Sequence, residues 1–178
     1  MDNFGKLTGD VVQFQRVLPG PIERVWAFLV DSEKRARWLA AGTTAPLVGG
    51  AVELSFENAK LSALPDALPA EKYREMPACV TFTGVVTQYD APHLLRYTWG
   101  FDGEESEVSF ELVEQGDAVL LTLTHRRLKA SESLLSVSAG WHTHLDILTE
   151  VIRGGEVQPF WKRHNALEVE YELRYASL

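Results

Sequence analysis

The run "GWHTHLD" places His142, His144 and Asp146 within five positions. Imidazole and carboxylate groups this close can ligate a metal ion or relay a proton. Which of these is open depends on the backbone beneath them. The flanking residues predict a helix, in which each position advances by about 100°, so His142 and His144 diverge by roughly 200° and point to opposite sides. A His-x-His pair chelates from a strand, whereas helical ligand pairs stand at i and i+4, as in H-E-x-x-H. His142 and Asp146 keep that spacing, but two ligands alone make no zinc site. They are expected to form a modest contact on the solvent side. The reading is one face of a helix, with no metal and no cofactor.

His144 lies beside the apolar stripe of the same helix, near Leu148. His125 ends the alternating series Val119, Leu121, Leu123 of a predicted strand. Both are expected to reach the space between helix and sheet from opposite walls. Three roles stay open for them: buried, hydrogen-bonded core histidines, polar handles that orient a bound ligand, or an acid–base pair. No other stretch carries a strong catalytic signature. "VGGAV" and "RGGEV" lack the context of a phosphate-binding loop, and G-x-S-x-G is absent. Cys79, the single cysteine, permits no internal disulfide and is expected to be a buried, inert thiol.

Composition narrows the function classes further. The chain has 178 residues, 46% of them hydrophobic and 24% charged, enough for one globular domain with a substantial core. Its net charge is −8, and "THRRLK" is the one basic cluster, too short for a nucleic-acid or anionic-membrane surface. No run nears the roughly 20 apolar residues of a membrane span. "MDNFGKLTGD" has no apolar signal-peptide region, so a cytoplasmic location is the expectation.

The elements that must position these groups can be read from periodicity. "DVVQFQRVLPGP" predicts a strand that stops at Pro-Gly-Pro. Ile22, Val25, Trp26 and Leu29 then recur at helical spacing, and Asp31 or Ser32 can cap a second short helix carrying Trp38 and Leu39. "AVELSFE" alternates strictly, with Val52, Leu54 and Phe56 on one face. Residues 58–78 carry three prolines and break the pattern, as a long lid-like loop between strands does. "CVTFTGVVTQYD", "HLLRYTWGF", "SEVSFELVEQ" and "AVLLTLTHRRL" form an antiparallel meander joined by short turns. Its inward faces carry Leu95, Tyr97 and Trp99, Val108, Phe110 and Leu112, and Val119 to His125. Arg96, Glu107, Ser109, Glu111, Thr122 and Thr124 are expected to face water. A long helix over 133–153 ends at Gly154-Gly155. The tail 156–178 fits a period of two at Leu167, Val169, Tyr171, Leu173 and Tyr175, yet Pro159 and strong helix formers favour a terminal helix.

Aromatic residues, Phe101 among them, crowd these inward faces and strand ends. A curved sheet around one helix with so much ring surface can leave an apolar cavity. The expected ligand-binding residues are Trp26, Trp38, Phe56, Phe82, Tyr97, Trp99, Phe110, Leu123, His125, Trp141, His144 and Leu148, with the 58–78 loop controlling entry.

The order strand, two helices, antiparallel strands, long helix resembles the helix-grip fold of the SRPBCC superfamily, which includes START lipid-transfer domains and polyketide cyclases. The motifs "GPIERVWAFLVDSEKRARWLA", "GVVTQYDAPHLLRYTWG", "AVLLTLTHRRL" and "GWHTHLDIL" are similar to those of bacterial proteins related to the C-terminal domain of the heat-shock-protein-90 ATPase activator. The resemblance implies one α+β domain over 1–178, with a curved antiparallel sheet wrapped around the long helix. Members of the family bind varied apolar ligands, and with the expected cavity the leading reading is a small hydrophobic or amphipathic ligand held without chemistry. Two alternatives accompany it. One is a cyclase- or hydrolase-type enzyme using His125 or His144. The other is a protein-interaction or stress-response role through an exposed patch at Phe160 and Trp161, which can also serve a homodimer. Eukaryotic co-chaperones of this type carry a further N-terminal domain, for which 178 residues leave no room.

Overall fold

The computed structural model describes residues 3–100, 106–128 and 131–176, with side chains in the last segment from 134 onward. The expected inward position of Phe101 lies outside the described residues. Seven strands form one antiparallel sheet: β1 (Lys6–Thr8), β2 (Val11–Pro19), β3 (Ala51–Phe56), β4 (Val80–Asp90), β5 (Leu94–Trp99), β6 (Ser106–Gln115) and β7 (Ala118–Arg126). Their spatial order is β1-β2-β7-β6-β5-β4-β3. The first and last thirds of the chain thus meet at β2–β7, while β3 forms the far edge. Register puts Phe14, Leu123, Phe110 and Leu95 in one row and Val12, His125, Val108 and Tyr97 in the next. All eight are buried, as alternation requires for a sheet covered on one face.

The opposite face is drier than alternation predicts. Ser109 and Thr124 stand opposite each other and are buried rather than water-facing. Long polar neighbours cover them: Arg126 donates to Ser109 Oγ and Gln13 to Thr124 Oγ1.

α1 (Ile22–Val30) buries Ile22, Val25, Trp26, Phe28 and Leu29 against the sheet. Asp31 caps α2 (Ser32–Ala36) by accepting from Lys34 N–H at 2.9 Å, while Ser32 accepts from Gly42 N–H instead. Arg35 is fully buried here without a carboxylate; it donates to the carbonyls of Ala40, Gly42 and Glu53 and to Thr44. Those bonds pin the 40–44 segment along β3.

α3 (Ser131–Arg153) lays Trp141, Leu145, Leu148 and Ile152 on the sheet. It ends in a Schellman motif: Gly154 takes a φ of 74°, its N–H bonds Val151 O, and Gly155 N–H bonds Glu150 O. α4 (Phe160–Tyr175) buries Phe160, His164, Leu167, Glu168 and Tyr171, a helical and not an alternating set. It packs along α3 on the side away from the sheet. His142 is therefore 1% exposed, not on a solvent face, with Nδ1 3.0 Å from Tyr171 Oη and Nε2 3.6 Å from Asp146. A second layer of helix made an outward side inward.

Candidate functional site

Midway along the sheet, the space between strands and α3 is closed. Trp38, Tyr97, Phe110, Leu123 and Leu148 fill it. At the β3 end, where the strands run beyond this plug, a cavity of about 320 Å³ remains. Phe56, Val80, Phe82 and Trp99 form its sheet wall. One face of α3 forms the opposite wall through Ser136, Val137, Gly140, Trp141 and His144. The first turns of α4 contribute Phe160, Trp161 and His164, and the 58–78 segment closes the top with Asn58, Pro69, Tyr73 and Met76 among others.

Ser136, Gly140 and His144 follow each other at i, i+4 and i+8, so a single stripe of α3 faces the cavity. Its middle residue has no side chain. A Cβ built on Gly140 meets nothing within 4 Å, so no neighbour forces a glycine there. In a helix interior glycine costs about 1 kcal/mol against alanine. What the missing side chain leaves is room in front of the rings.

The two candidate histidines have opposite circumstances. His125 is saturated: Trp141 Nε1 donates to its Nδ1 at 2.9 Å, and its Nε2 lies 2.7 Å from Ser106 Oγ, which itself donates to Trp99 O. The indole donor puts the proton on Nε2, so His125 cannot take a proton from Ser106 as a catalytic base would. His125 is one layer behind the cavity wall. His144 donates from Nδ1 to the Trp38 carbonyl at 2.7 Å, which leaves Nε2 as an acceptor on a residue that lines the cavity. Burial pushes His125 down to about 3 and His144 down to about 4, so both are neutral at pH 7. His164 is likewise pushed down to about 4, chiefly by burial.

Of the twelve residues expected to touch a ligand, five line this cavity: Phe56, Phe82, Trp99, Trp141 and His144. Trp38, Tyr97, Phe110, Leu123, His125 and Leu148 belong to the packed core, and Trp26 packs edge-on against Tyr89 beneath α1. Residues not anticipated for the cavity are Asn58, Tyr73, Gly140, Phe160, Trp161 and His164. Phe160 and Trp161 do not form an exposed patch. Phe160 is buried, Trp161 is partly buried, and both turn toward His164. Cys79 is exposed and not buried, because it precedes the paired part of β4. Among the described residues no cluster of three or more His, Cys, Asp or Glu can hold a metal ion.

The 58–78 segment is tied down along α4. Asp66 accepts from the N–H groups of Trp161 and Lys162 at 3.0 and 2.9 Å. It does the work of an N-cap that Pro159 cannot do, from 95 positions away. Asn165 bonds Leu68 O and Ala70 N–H, and Ser62 bonds Val157 O. Tyr73 donates to Glu168 at 2.5 Å and lies 2.8 Å from Ser136 Oγ; Lys72 is 2.9 Å from the same carboxylate. Burial and the Glu168 carboxylate push the Tyr73 phenol up.

The conserved pattern described as "Activator of Hsp90 ATPase homolog 1-like protein" matches residues 19–153. The chain belongs to this family. Within it, the cavity draws on matched residues for its sheet and α3 walls, while α4 lies beyond the matched span. A Bordetella parapertussis protein solved by NMR in solution is 40% identical, with a TM-score of 0.79 over 97% of this chain and 91% of that one. CalU16 from Micromonospora echinospora is similar at 20% identity and a TM-score of 0.66, covering 96% and 93% of the two chains. DynU16, from the dynemicin biosynthetic locus, is similar at 18% identity and 0.65, over 84% of this chain and 49% of that one. The latter two likenesses concern the fold alone, which is the helix-grip fold of the SRPBCC superfamily. No curated protein matches the chain.

Proposed function

We propose that this family member binds a small, mostly apolar molecule in the cavity at the β3 end, without changing it covalently. The observation that carries the reading is Gly140, a residue that costs helix stability yet touches no packing partner, facing a ring-walled space. A volume of about 320 Å³ lies at the small end of natural ligand pockets, roughly 300–1,000 Å³. It suits a compact ring compound better than a long acyl chain. Rings on three walls supply contact area, and His144 supplies a directional acceptor.

Native mass spectrometry of gently isolated protein, followed by a thermal-shift panel of small aromatic and terpenoid compounds, tests the reading. A compound that raises the melting temperature of the wild type should lose its effect on Gly140→Leu, whose side chain enters the cavity. No bound mass and no shift across the panel would count decisively against a container.

One feature favours a second reading. His144 holds the tautomer of a general base, with Nδ1–H fixed on a carbonyl and Nε2 left to accept. If the bound molecule is turned over, His144→Gln abolishes turnover while binding persists, and His125→Gln does not produce that separation.

A further inference from the structure

Charge is distributed unevenly over the cavity lining. The walls carry rings, small residues and histidines that burial keeps neutral. Among the described lining residues Arg74 alone bears a full charge, and no aspartate or glutamate lines the space. The chain as a whole leans the other way, with 25 acidic against 17 basic residues. Glu168, which meets Tyr73 from α4, is already engaged by Tyr73 and Lys72. Arg74 is exposed at the mouth, and its Nε donates at 3.2 Å to the carbonyl of Pro69, itself a lining residue. That bond holds the guanidinium at the rim. No carboxylate of the described residues pairs with it, so its Nη1 and Nη2 end stays open.

We infer that the cavity selects an amphipathic ring acid, with its apolar body between Trp99 and Gly140 and its carboxylate on Arg74 at the mouth. This rests on the proposal that the cavity is a ligand site, and adds the sign and the direction of the ligand. The Nη1 and Nη2 groups present parallel N–H bonds that match the two oxygens of a planar carboxylate. Because Arg74 is exposed, the carboxylate keeps water on its outer side and escapes the penalty of burying a charge. A cationic ligand would meet the like charge of Arg74 at the rim and finds no carboxylate on the lining. The apolar walls supply affinity, and the rim charge supplies the choice among ligands.

Probes matched in shape test this on the intact protein, read by calorimetry and by quenching of the cavity indoles: 2-naphthoate, its neutral isostere 2-naphthamide, and 2-naphthylmethylammonium. At low salt the wild type should bind the acid about threefold more tightly than the amide, the scale of an exposed ion pair, with the ammonium weakest. The preference should vanish in about 0.5 M NaCl, where exposed charges are screened. Arg74→Gln should equalise acid and amide when both are measured on that variant, and Arg74→Glu should reverse their order. The salt series on the wild type needs neither variant. Equal binding of acid and amide by the wild type at low salt, a preference that survives salt or Arg74→Gln, or tightest binding of the ammonium overturns the inference and leaves the container standing. If none of the three binds, the container reading itself fails and this one with it.

Discussion

Three histidines are buried and uncharged in the folded protein, and all three are normal in the unfolded chain. His125 is held down to about 3, His144 and His164 to about 4. Below the unfolded value near 6.5 the unfolded chain takes up protons that the folded state refuses. Stability is therefore full above about pH 6.5 and falls as pH drops toward 4, at up to about 1.4 kcal/mol per pH unit for each histidine. Urea midpoints at pH 7.5, 6 and 5 should decrease steadily; equal midpoints at all three would show the histidines exposed. Gly140 gives a prediction of opposite sign. Gly140→Ala should add about 1 kcal/mol, because helix propensity improves and no atom is close enough to clash. A loss of stability would mean the helix needs that glycine for contact. His144 was legible beside the apolar stripe of its helix. The different fates of His125 and His144 were not, since tautomers are decided by Trp141 and the Trp38 carbonyl, which come from other elements.

At the scale of elements, the novelty is the pairing of α4 with the 58–78 segment. Pro159 and strong helix formers favoured α4 against a competing period of two, and three prolines marked 58–78 as a break between strands. Neither signal could reveal that Asp66 caps α4 or that Tyr73 reaches Glu168, since such bonds join residues 95 positions apart. The displaced expectations at His142, Phe160 and Trp161 share this cause. A helical wheel describes one helix alone, whereas α4 covers His142, α3 covers Phe160 and Tyr73 of the 58–78 segment packs on Trp161. Asp66→Ala should cost about 1–2 kcal/mol, in the range of a lost N-cap. Hydrogen exchange localises the damage: the Trp161 and Lys162 amides and the 58–78 segment should lose protection while the β2–β7 ladder keeps it. Uniform loss across the sheet would contradict a local tie.

For the whole molecule, strand alternation in β2 to β7 and the helical period of α1 and α3 supplied the order of elements, and the family resemblance carried by that order supplied the fold. What alternation cannot supply is the distribution of solid and empty space along the sheet axis. Inward-facing Tyr97, Phe110 and Leu123 look equivalent to Phe56, Phe82 and Trp99 in sequence, yet the first group plugs the middle and the second borders a cavity. The difference lies in what stands opposite: Trp38 and Leu148 in one place, Gly140 and Ser136 in the other.

The most direct measurement is a ¹H–¹⁵N NMR titration with naphthalene-sized ring compounds. The account predicts saturable shifts concentrated at Gly140, His144 and the indole N–H groups of Trp99 and Trp161, with Trp26 and Trp38 unmoved. Shifts confined to exposed apolar positions such as Val169 and Leu173, or none at all, would contradict it.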